Sequence, residues 1–599
     1  MKNLSQTWNL ETFFAGGSES PELVAYLDQL EGNIEGLAGQ IATLSESNNV
    51  DAWGSVLAVM QQANSDLRYV MSFSGCLLAQ DVKDQQAKIV QGRIAKLSAS
   101  LGAAMTVLDK QILTVDEQAW QALLQDERVQ PISFWLIERR QNAFSKMAPD
   151  LEALGGDLAV DGYHAWGNLY NTLIGRMSIK VEKDGEVKEL SIGQAQNMYS
   201  GTPDREVRKA VFAAWEEAFA QSEELFAANL NHLGGFRWAL YKSRGWDSIL
   251  KEPCDINRMS RATLDVMWDV IDKNKDTFVQ FLDRKAELIG VDKLSYYDLY
   301  ASTSTAKTSY TYDEGANFIV EQFAEFSPDF AAFAKRAFEQ SWIEAEDRPG
   351  KRPGGFCAGF PGKNETRIFM TYDDSMGAVS TLAHELGHAY HAHVMGDMPF
   401  FTRMYAMNVA ETASTFAETL VTSAAVRSAK SDDEKIALLE EKVSGSIAMY
   451  MDIHSRFIFE NNFYDERKKG LVSAERLNEL MVEAQKKAYR DSLELYHPRF
   501  WASKLHFYST SVPFYNFPYT FGYLFSTGVY ALALQEGPSF ADKYVALLRD
   551  TASMTVEELA QKHLGVDLTQ PEFWQNAVDI TVQDAKEFLR LTAGKVATK

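Results

Sequence analysis

The run His384-Glu385-Leu386-Gly387-His388 constrains the fold of this chain more than any other feature of its sequence. Two imidazoles can reach one metal ion from this spacing if the run is helical, because positions i and i+4 then lie on one face. The glutamate beside the first histidine can take a proton from an attacking water. The chain holds only 10 histidines, so a chance match has odds on the order of one per cent. The run therefore predicts a helix that carries two Zn²⁺ ligands.

A zinc site of this kind needs a third protein ligand. The extended pattern H-E-x-x-H-x-x-G-x-x-H fails, because His391 stands at its glycine position and Val394 at its last histidine position. A predicted helix further along offers Glu411 and Glu418, which lie two helical turns apart and share a face. Their neighbours are apolar, so a carboxylate there needs a partner. We predict Glu411 as the third ligand and Glu418 as an acceptor that orients a motif histidine.

Two further histidines follow on the same predicted helix. His391 comes three positions after His388 and can face the metal, although a supporting or packed histidine is the commoner outcome at such a position. His393 points to another side of the helix, and we predict no chemical role for it.

Apolar residues recur at helical spacing through much of the chain. Ser20 can cap a helix and Pro21 suits its first position, and an apolar stripe follows them. The members of this stripe are Leu23, Leu27, Leu30, Ile34, Leu37 and Ile41. Similar patterns continue to about residue 150, so we predict a mostly α-helical fold.

Residues 176–192 are typical of a β-hairpin instead. Asp184-Gly185 is a strong turn signal, and it separates two β-like runs. We place a soft domain boundary just after this hairpin. Residues 1–195 form a helical N-terminal region that ends in the hairpin, and residues 196–599 form the catalytic region.

A second hairpin is predicted directly before the histidine-bearing helix. A Pro/Gly-rich loop at 346–355 introduces it, and the turn-like residues 361–364 separate its two strands. A strand beside a zinc helix can bind an extended peptide by main-chain hydrogen bonds, whatever the peptide's side chains. The alternative is a small structural sheet that caps the helices.

Four stretches of this sequence resemble one known family. They are HELGHAYH followed by ETASTFAE, the opening TWNLETFFAGGSESPEL, the segment KRPGGFCAGF, and HFYSTSVPFYNFPYTFGYLFS near the C-terminus. Together they resemble the thimet oligopeptidase and oligoendopeptidase F family of zinc metallopeptidases, specifically its oligoendopeptidase F branch. The resemblance extends over nearly the whole chain.

The resemblance implies a fold and a function. The fold is a mostly α, zincin-like helical ellipsoid with a small β-sheet beside the HExxH helix and a deep substrate channel. One Zn²⁺ per chain is held by His384, His388 and Glu411, and Glu385 is the general base. The substrates are short, unstructured peptides, which pair with the strand that contains Gly355, Phe356, Cys357 and Ala358.

The resemblance also implies hydrogen-bond donors for the oxyanion of peptide hydrolysis. The family has a histidine followed by tyrosines, one of them in a Gly-Tyr pair, and this favours His506 and Tyr523. The interval between these two residues is longer than in the thimet branch. Tyr515 and Tyr519 therefore remain alternatives for the same role.

Composition and charge restrict the partners. The net charge of −23 argues against nucleic acids and anionic membranes, because both would be repelled. The three cysteines are far apart, which fits a reducing cytoplasm rather than a disulfide framework. No signal peptide is recognised at the start, and the most apolar long run is too short and too polar to be a membrane span. Oligomeric state is left open.

We therefore predict a cytoplasmic zinc endopeptidase that cleaves short peptides. One alternative is an inactive peptide-binding protein with a structural zinc, which the intact Glu385 disfavours because a structural site needs no base. Another is a zinc hydrolase acting on non-peptide amides, which only the predicted strand beside the zinc helix disfavours.

Overall fold

The computed structural model describes residues 1–44, 49–183, 186–304 and 309–595, and this part of the chain is mostly helical. The first helices are α1 (Pro21–Ile34), α2 (Leu37–Ala42), α3 (Val50–Gln80), α4 (Gln85–Thr114), α5 (Glu117–Gln125), α6 (Ser133–Phe144), α7 (Pro149–Ala159), α8 (Ala165–Arg176), α9 (Ile192–Gly201), α10 (Arg205–Ala220), α11 (Glu223–Ser243), α12 (Lys251–Ile256) and α13 (Arg261–Ile289). The later ones are α14 (Tyr312–Phe326), α15 (Pro328–Glu339), α16 (Met376–Val394), α17 (Met407–Ser428), α18 (Asp432–Ile447), α19 (Ile453–Arg467), α20 (Ala474–Ala488), α21 (Phe500–Ser503), α22 (Phe517–Glu536), α23 (Phe540–Asp550), α24 (Val556–Leu564) and α25 (Pro571–Thr592). The strands are β1 (Ser178–Lys183), β2 (Glu186–Ser191), β3 (Ile343–Glu344), β4 (Phe356–Phe360) and β5 (Glu365–Phe369).

The chain divides into two compact units, each assembled from separate segments. The first unit contains Met1–Lys146, Thr308–Ala424 and Leu532–Gly565, and the second contains Met147–Lys307, Ala425–Ala531 and Val566–Lys599. Contacts within each unit thus join residues that are hundreds of positions apart. The predicted boundary near residue 195 falls inside the second unit and stays a prediction about the extent of the catalytic region.

In the first unit, a three-stranded sheet with the order β3-β5-β4 lies beside α16. Strand β5 pairs in parallel with β3 and antiparallel with β4. The start of the chain lies along β3, because the Asn9 amide donates to the Ser341 carbonyl at 2.8 Å and the Ala345 amide donates to the Gln6 carbonyl at 2.7 Å. The buried Arg367 guanidinium fixes this segment further by donating to the Asn9 carbonyl at 3.0 Å.

Aromatic and aliphatic side chains form the core of the N-terminal helices. Ser20 caps α1 and Pro21 begins it, as the sequence predicts, and the apolar stripe is buried. The stripe does not belong to one helix, however, because α1 ends at Ile34 and α2 begins at Leu37. The Phe13 ring stacks on Phe360 of β4 with 3.9 Å between centroids, so this core also supports the sheet.

In the second unit, a two-stranded hairpin packs against α9 and α10, and its second strand is largely exposed. Strands β1 and β2 pair from Ser178 and Ser191 to Lys183 and Glu186, which confirms the predicted hairpin. Its predicted turn, residues 184–185, lies outside the described residues. Helix α25 packs against α13 and α18, and between α18 and α19 the chain forms one π-helical turn, Ala448–Asp452. Such turns frequently occur at functional sites.

The predicted fold class is confirmed: the described part is mostly helical, and a small sheet lies beside the helix that carries the HExxH run. Among the described residues, no helix combines the length and apolar character that a membrane crossing requires.

Candidate active site

Helix α16 places both motif histidines on one face, as their spacing predicts. The helix begins after Ser375, whose hydroxyl accepts a hydrogen bond from the Ala378 amide, a capping arrangement that stabilises the first turn. The His384 and His388 rings are 4.9 Å apart, measured between centroids, and nearly perpendicular. Both imidazoles are therefore directed at the same small volume.

Gly387 allows α17 to approach α16 closely. A Cβ atom at this position would lie 2.4 Å from the Ala413 carbonyl oxygen and 2.6 Å from the Ser414 Cα. Any side chain would thus overlap the backbone of α17, which cannot move aside as a flexible side chain can. The glycine inside the HExxH run is therefore a packing requirement, and the close approach brings Glu411 to the histidines.

The three predicted ligands converge to a spacing that suits zinc. Glu411 Oε2 lies 3.2 Å from His384 Nε2 and 3.5 Å from His388 Nε2, and the three donor atoms lie within 4.8 Å of one another. Tetrahedral zinc with ligand distances of about 2.0–2.1 Å requires ligand atoms roughly 3.3 Å apart. Two imidazole nitrogens and one carboxylate also match a catalytic zinc site, which keeps its fourth position open.

Two neighbouring side chains orient these ligands. Glu418 Oε2 lies 3.1 Å from His384 Nδ1, which leaves Nε2 directed at Glu411. The Ser414 hydroxyl donates to Glu411 Oε2 at 2.8 Å. Residues 411, 414 and 418 are spaced by one helical turn each and share a face of α17. Supporting bonds of this kind fix the tautomer of a ligating histidine.

The site also favours a cation electrostatically. Burial alone would lower the pKa of His384, but hydrogen bonds with Glu411 and Glu418 raise it to about 10. Burial alone would raise the pKa of Glu411, but its bond with His384 and the nearby imidazoles lower it to about 2. Two carboxylates thus stabilise positive charge at the place where a metal ion would be bound.

Glu385 lies on the sheet side of the same helix. Burial raises the pKa of Glu385 to about 7, although the nearby His384 acts in the opposite direction. A Cβ atom at Gly355 would lie 3.4 Å from Glu385 Oε1. The carboxylate predicted as the general base is therefore next to the residue that precedes β4.

Strand β4 has one edge that does not pair with β5. The Ile368 amide donates to the Trp342 carbonyl, on the side away from β4. Because main-chain groups alternate along a strand, Cys357, opposite Ile368, directs its own amide and carbonyl away from β5. Further along this outer edge, the Ser72 hydroxyl donates to the Gly359 carbonyl at 2.7 Å. The available edge therefore begins beside Glu385 and ends at Gly359.

The two remaining histidines of α16 have other partners. His391 is buried and stacks on Tyr405, and its Nε2 lies 3.0 Å from the Thr551 hydroxyl and 3.1 Å from the Leu548 carbonyl. His393 stacks on Phe333 with 4.8 Å between centroids. His391 lies in the interior and His393 is partly exposed, and neither belongs to the His-His-Glu group.

The second unit gathers three of the four predicted oxyanion residues. The His506 ring lies 5.1 Å from the Tyr515 ring and 6.3 Å from the Tyr519 ring, measured between centroids. All three line one cavity of about 540 Å³, which also contains the side chains of Asn168 and Asn171. Polar groups thus converge on a space large enough for part of a peptide.

Tyr523 is placed differently from the other predicted tyrosines. Its hydroxyl lies 2.9 Å from the Ser446 hydroxyl, and its ring contacts Tyr450 edge to face. It is not among the residues that line the cavity with His506.

The loop between His506 and Tyr515 is held by two buried charged residues, Arg237 and Glu460, that the sequence did not predict. Arg237 is buried and donates to the Tyr163 hydroxyl at 2.9 Å, the Tyr464 hydroxyl at 2.7 Å and the Ser509 carbonyl at 2.8 Å. The buried Glu460 accepts a hydrogen bond from the backbone of Phe514, whose φ of 52° is left-handed and costly for a phenylalanine. These residues are far from the loop in sequence, and no local pattern marks them.

Family models and curated relatives match most of this chain. The model of peptidase family M3 matches residues 198–580, and a model described as oligopeptidase F matches residues 111–178. Among curated proteins, an oligoendopeptidase F homolog of Lactococcus lactis is 23% identical, and the match covers 98% of this chain and 97% of that protein. Oligopeptidase PepF of Bacillus subtilis is 22% identical, with 94% and 84% covered.

Solved structures show the same fold. A putative peptidase from Chlamydophila abortus superimposes with a TM-score of 0.83 at 19% identity, and the match covers 98% of each chain. Oligoendopeptidase-F from Enterococcus faecium gives a TM-score of 0.72 at 19% identity, with 96% of this chain and 99% of that chain covered.

The helical fold and the family matches define a metallopeptidase. More specifically, the chain belongs to peptidase family M3, a family of zinc metallopeptidases, and it is similar to the oligoendopeptidase F proteins over nearly its whole length. The predicted family resemblance is confirmed.

Proposed function

We propose that this chain is a zinc-dependent endopeptidase that hydrolyses short, unstructured oligopeptides. The observation that carries the proposal is the group formed by His384, His388 and Glu411, whose donor atoms lie within 4.8 Å of one another, close enough to bind one Zn²⁺. The names of the relatives, oligoendopeptidase F and oligopeptidase, favour peptides of limited length as substrates. We propose one Zn²⁺ per chain.

When bound, zinc supplies a Lewis acid that activates water and polarises the scissile carbonyl. Glu385 takes the proton of the attacking water with its carboxylate and later delivers it to the leaving amine. Its buried position supports this role, because a raised pKa matches a group that must both accept and donate a proton near neutral pH. Glu418 keeps His384 oriented throughout through their hydrogen bond at Nδ1.

The substrate strand is proposed to be the one that contains Gly355, Phe356, Cys357 and Ala358. An extended peptide would pair with the outer edge of β4 and so place its backbone beside Glu385. Main-chain pairing of this kind reads the backbone and not the side chains, which predicts a loose sequence preference.

His506 and a tyrosine are proposed to donate hydrogen bonds to the oxyanion as its charge develops. Family resemblance favours Tyr523, whereas Tyr515 and Tyr519 share a cavity with His506. A cytoplasmic location is also proposed, supported by the absence of disulfide bonds among Cys76, Cys254 and Cys357.

The direct test combines metal analysis with a digest of mixed peptides. The purified chain should contain one zinc, and mass spectrometry should show internal cleavage of short peptides that stops with a chelator and resumes with added Zn²⁺. Cleavage that persists after complete metal removal would refute the proposal. Zinc binding without cleavage of any peptide would instead favour the alternative of an inactive protein with a structural zinc.

A further inference from the structure

A cavity of about 280 Å³ lies in the second unit, and none of the proposed catalytic residues line it. Its walls come from α9, α10, the π-helical turn Ala448–Asp452 and the segment around α21. Aromatic side chains form much of this wall, among them Phe212, Tyr296 and Phe500. The cavity is thus apolar in its walls, and its volume lies near the lower end for small-molecule sites.

Two cations lie close to the same aromatic ring in this cavity. The Arg456 guanidinium carbon lies 5.0 Å from the centroid of Phe500, and the Lys504 ammonium lies 4.8 Å from it. Positive groups at this distance from a ring face are attracted to it. They also repel each other, so the arrangement needs negative charge.

Among the described residues that line the cavity, Asp452 is the only carboxylate that can balance the charge of these two cations. Asp452 accepts from Arg456 Nη2 at 2.5 Å and from the Tyr296 hydroxyl at 3.1 Å. His497, the other basic residue of the wall, is bonded to Glu216. Lys504 has neither an ion pair nor a side-chain hydrogen bond within the described part of the chain, so Asp452 acts on its charge only from a distance.

The isolation of Lys504 has an energetic consequence. Burial, together with the charge of Arg456, lowers the pKa of Lys504 to about 8 against the opposing effect of Asp452. A partly buried ammonium without a direct ion pair destabilises the folded state, because the distant Asp452 does not replace the contacts with water that the ammonium has lost. An anion bound between Lys504 and Arg456 would remove this cost.

We propose that the cavity binds a small monocarboxylate with a flat apolar body. The carboxylate lies between Lys504 and Arg456, and the apolar body packs against Phe212 and Tyr296. Two sources offer this chemistry: the free C-terminal residue of a peptide when that residue is aromatic, and a free aromatic acid. The site is independent of the proposed zinc centre and does not rest on the proposed peptidase activity.

Calorimetric titration of the full-length chain tests the proposal without measuring turnover. The probes are 3-phenylpropionate and N-acetylphenylalanine, each compared with its primary amide. At least one acid should bind with a stoichiometry of one, and its uncharged amide should bind at least tenfold more weakly. Binding of both acids means that ring and carboxylate suffice, whereas binding of N-acetylphenylalanine alone identifies a peptide C-terminus as the ligand.

Two lysine variants give the matched comparison. Lys504→Met keeps the length of the side chain and removes its charge, so it should weaken acid binding at least tenfold and raise the melting temperature without ligand. Lys468→Met is the control, because Lys468 also lies 4.8 Å from an aromatic ring, that of Trp238, but pairs with Asp465. Its binding should match the wild type. Equal binding of acid and amide, no binding of either acid at millimolar concentration, or unchanged binding by Lys504→Met would overturn the proposal.

Discussion

At the scale of single residues, the proposed zinc site depends on a glycine as well as on the three proposed ligands. Gly387→Ala would place a methyl group 2.4 Å from the Ala413 carbonyl, so α16 and α17 must separate. We expect loss of zinc binding and a lower melting temperature. Gly92→Ala is the control, since a Cβ atom there has no neighbour within 4 Å and alanine is favoured in a helix by about 0.5–1 kcal/mol. Normal zinc content in Gly387→Ala would contradict this packing argument.

A substitution at Glu385 separates the proposed role of the general base from the proposed binding of zinc. Glu385→Gln keeps the size of the side chain but removes the proton acceptor, so the variant should retain one zinc and lose turnover by roughly 10²–10⁴-fold. His384→Ala and Glu411→Ala should instead lower the zinc content itself. Metal analysis and peptide hydrolysis on the same samples distinguish these outcomes, and near-normal activity of Glu385→Gln would refute the mechanism.

At the scale of elements, the segment from His506 to Tyr523 is expected to act on the transition state. His506→Ala and Tyr523→Phe should lower kcat more than they raise KM, by roughly 10²–10³-fold for one donor. If Tyr523→Phe leaves kcat unchanged while Tyr515→Phe or Tyr519→Phe lowers it strongly, the latter tyrosine is the one that donates a hydrogen bond to the oxyanion. If His506→Ala and all three phenylalanine variants keep kcat within about twofold, the segment has no part in catalysis.

The contribution of Glu460, which bonds to Phe514 in this segment, to the stability of the fold should depend on pH. Burial raises the pKa of Glu460 to about 8, with Arg237 opposing the shift. A carboxyl group whose folded-state pKa is raised contributes stability fully below its unfolded pKa, and this contribution is lost as pH rises towards and through about 8. Glu460→Gln cannot ionise, so its melting temperature should rise relative to the wild type between pH 5 and pH 9. A constant difference would show that Glu460 does not titrate in this range.

At the scale of the whole molecule, substrate length is the property to test. The available edge of β4 ends where the Ser72 hydroxyl occupies the Gly359 carbonyl, so only a short extended segment can pair there. We expect cleavage of unstructured peptides of roughly five to twenty residues, with folded proteins left intact. A ladder of peptides digested beside a denatured, alkylated protein measures this. Equal rates per bond for the long chain and the short peptides would refute the oligopeptidase assignment.

Local sequence patterns predicted how the candidate metal ligands come together, but not the contacts around the segment from His506 to Tyr523. The i and i+4 spacing of the histidines and the shared face of Glu411 and Glu418 follow from helix geometry, which sequence displays directly. The bond between Arg237 and the Ser509 carbonyl joins residues 272 positions apart, and no periodicity reports such a contact. The same limit applies to Tyr523, whose bond with Ser446 depends on how two distant helices pack.

The segmented first unit has a consequence for biosynthesis. His391, one turn beyond the proposed zinc ligands of α16, bonds to Leu548 and Thr551, which belong to the last segment of that unit. When the residues of the HExxH helix have just been synthesised, Leu548 and Thr551, which contact this helix in the folded protein, have not. The contacts of His391 can form only after residue 551 has been synthesised. A chain truncated before residue 548 should therefore fail to bind zinc, although it contains all three proposed ligands.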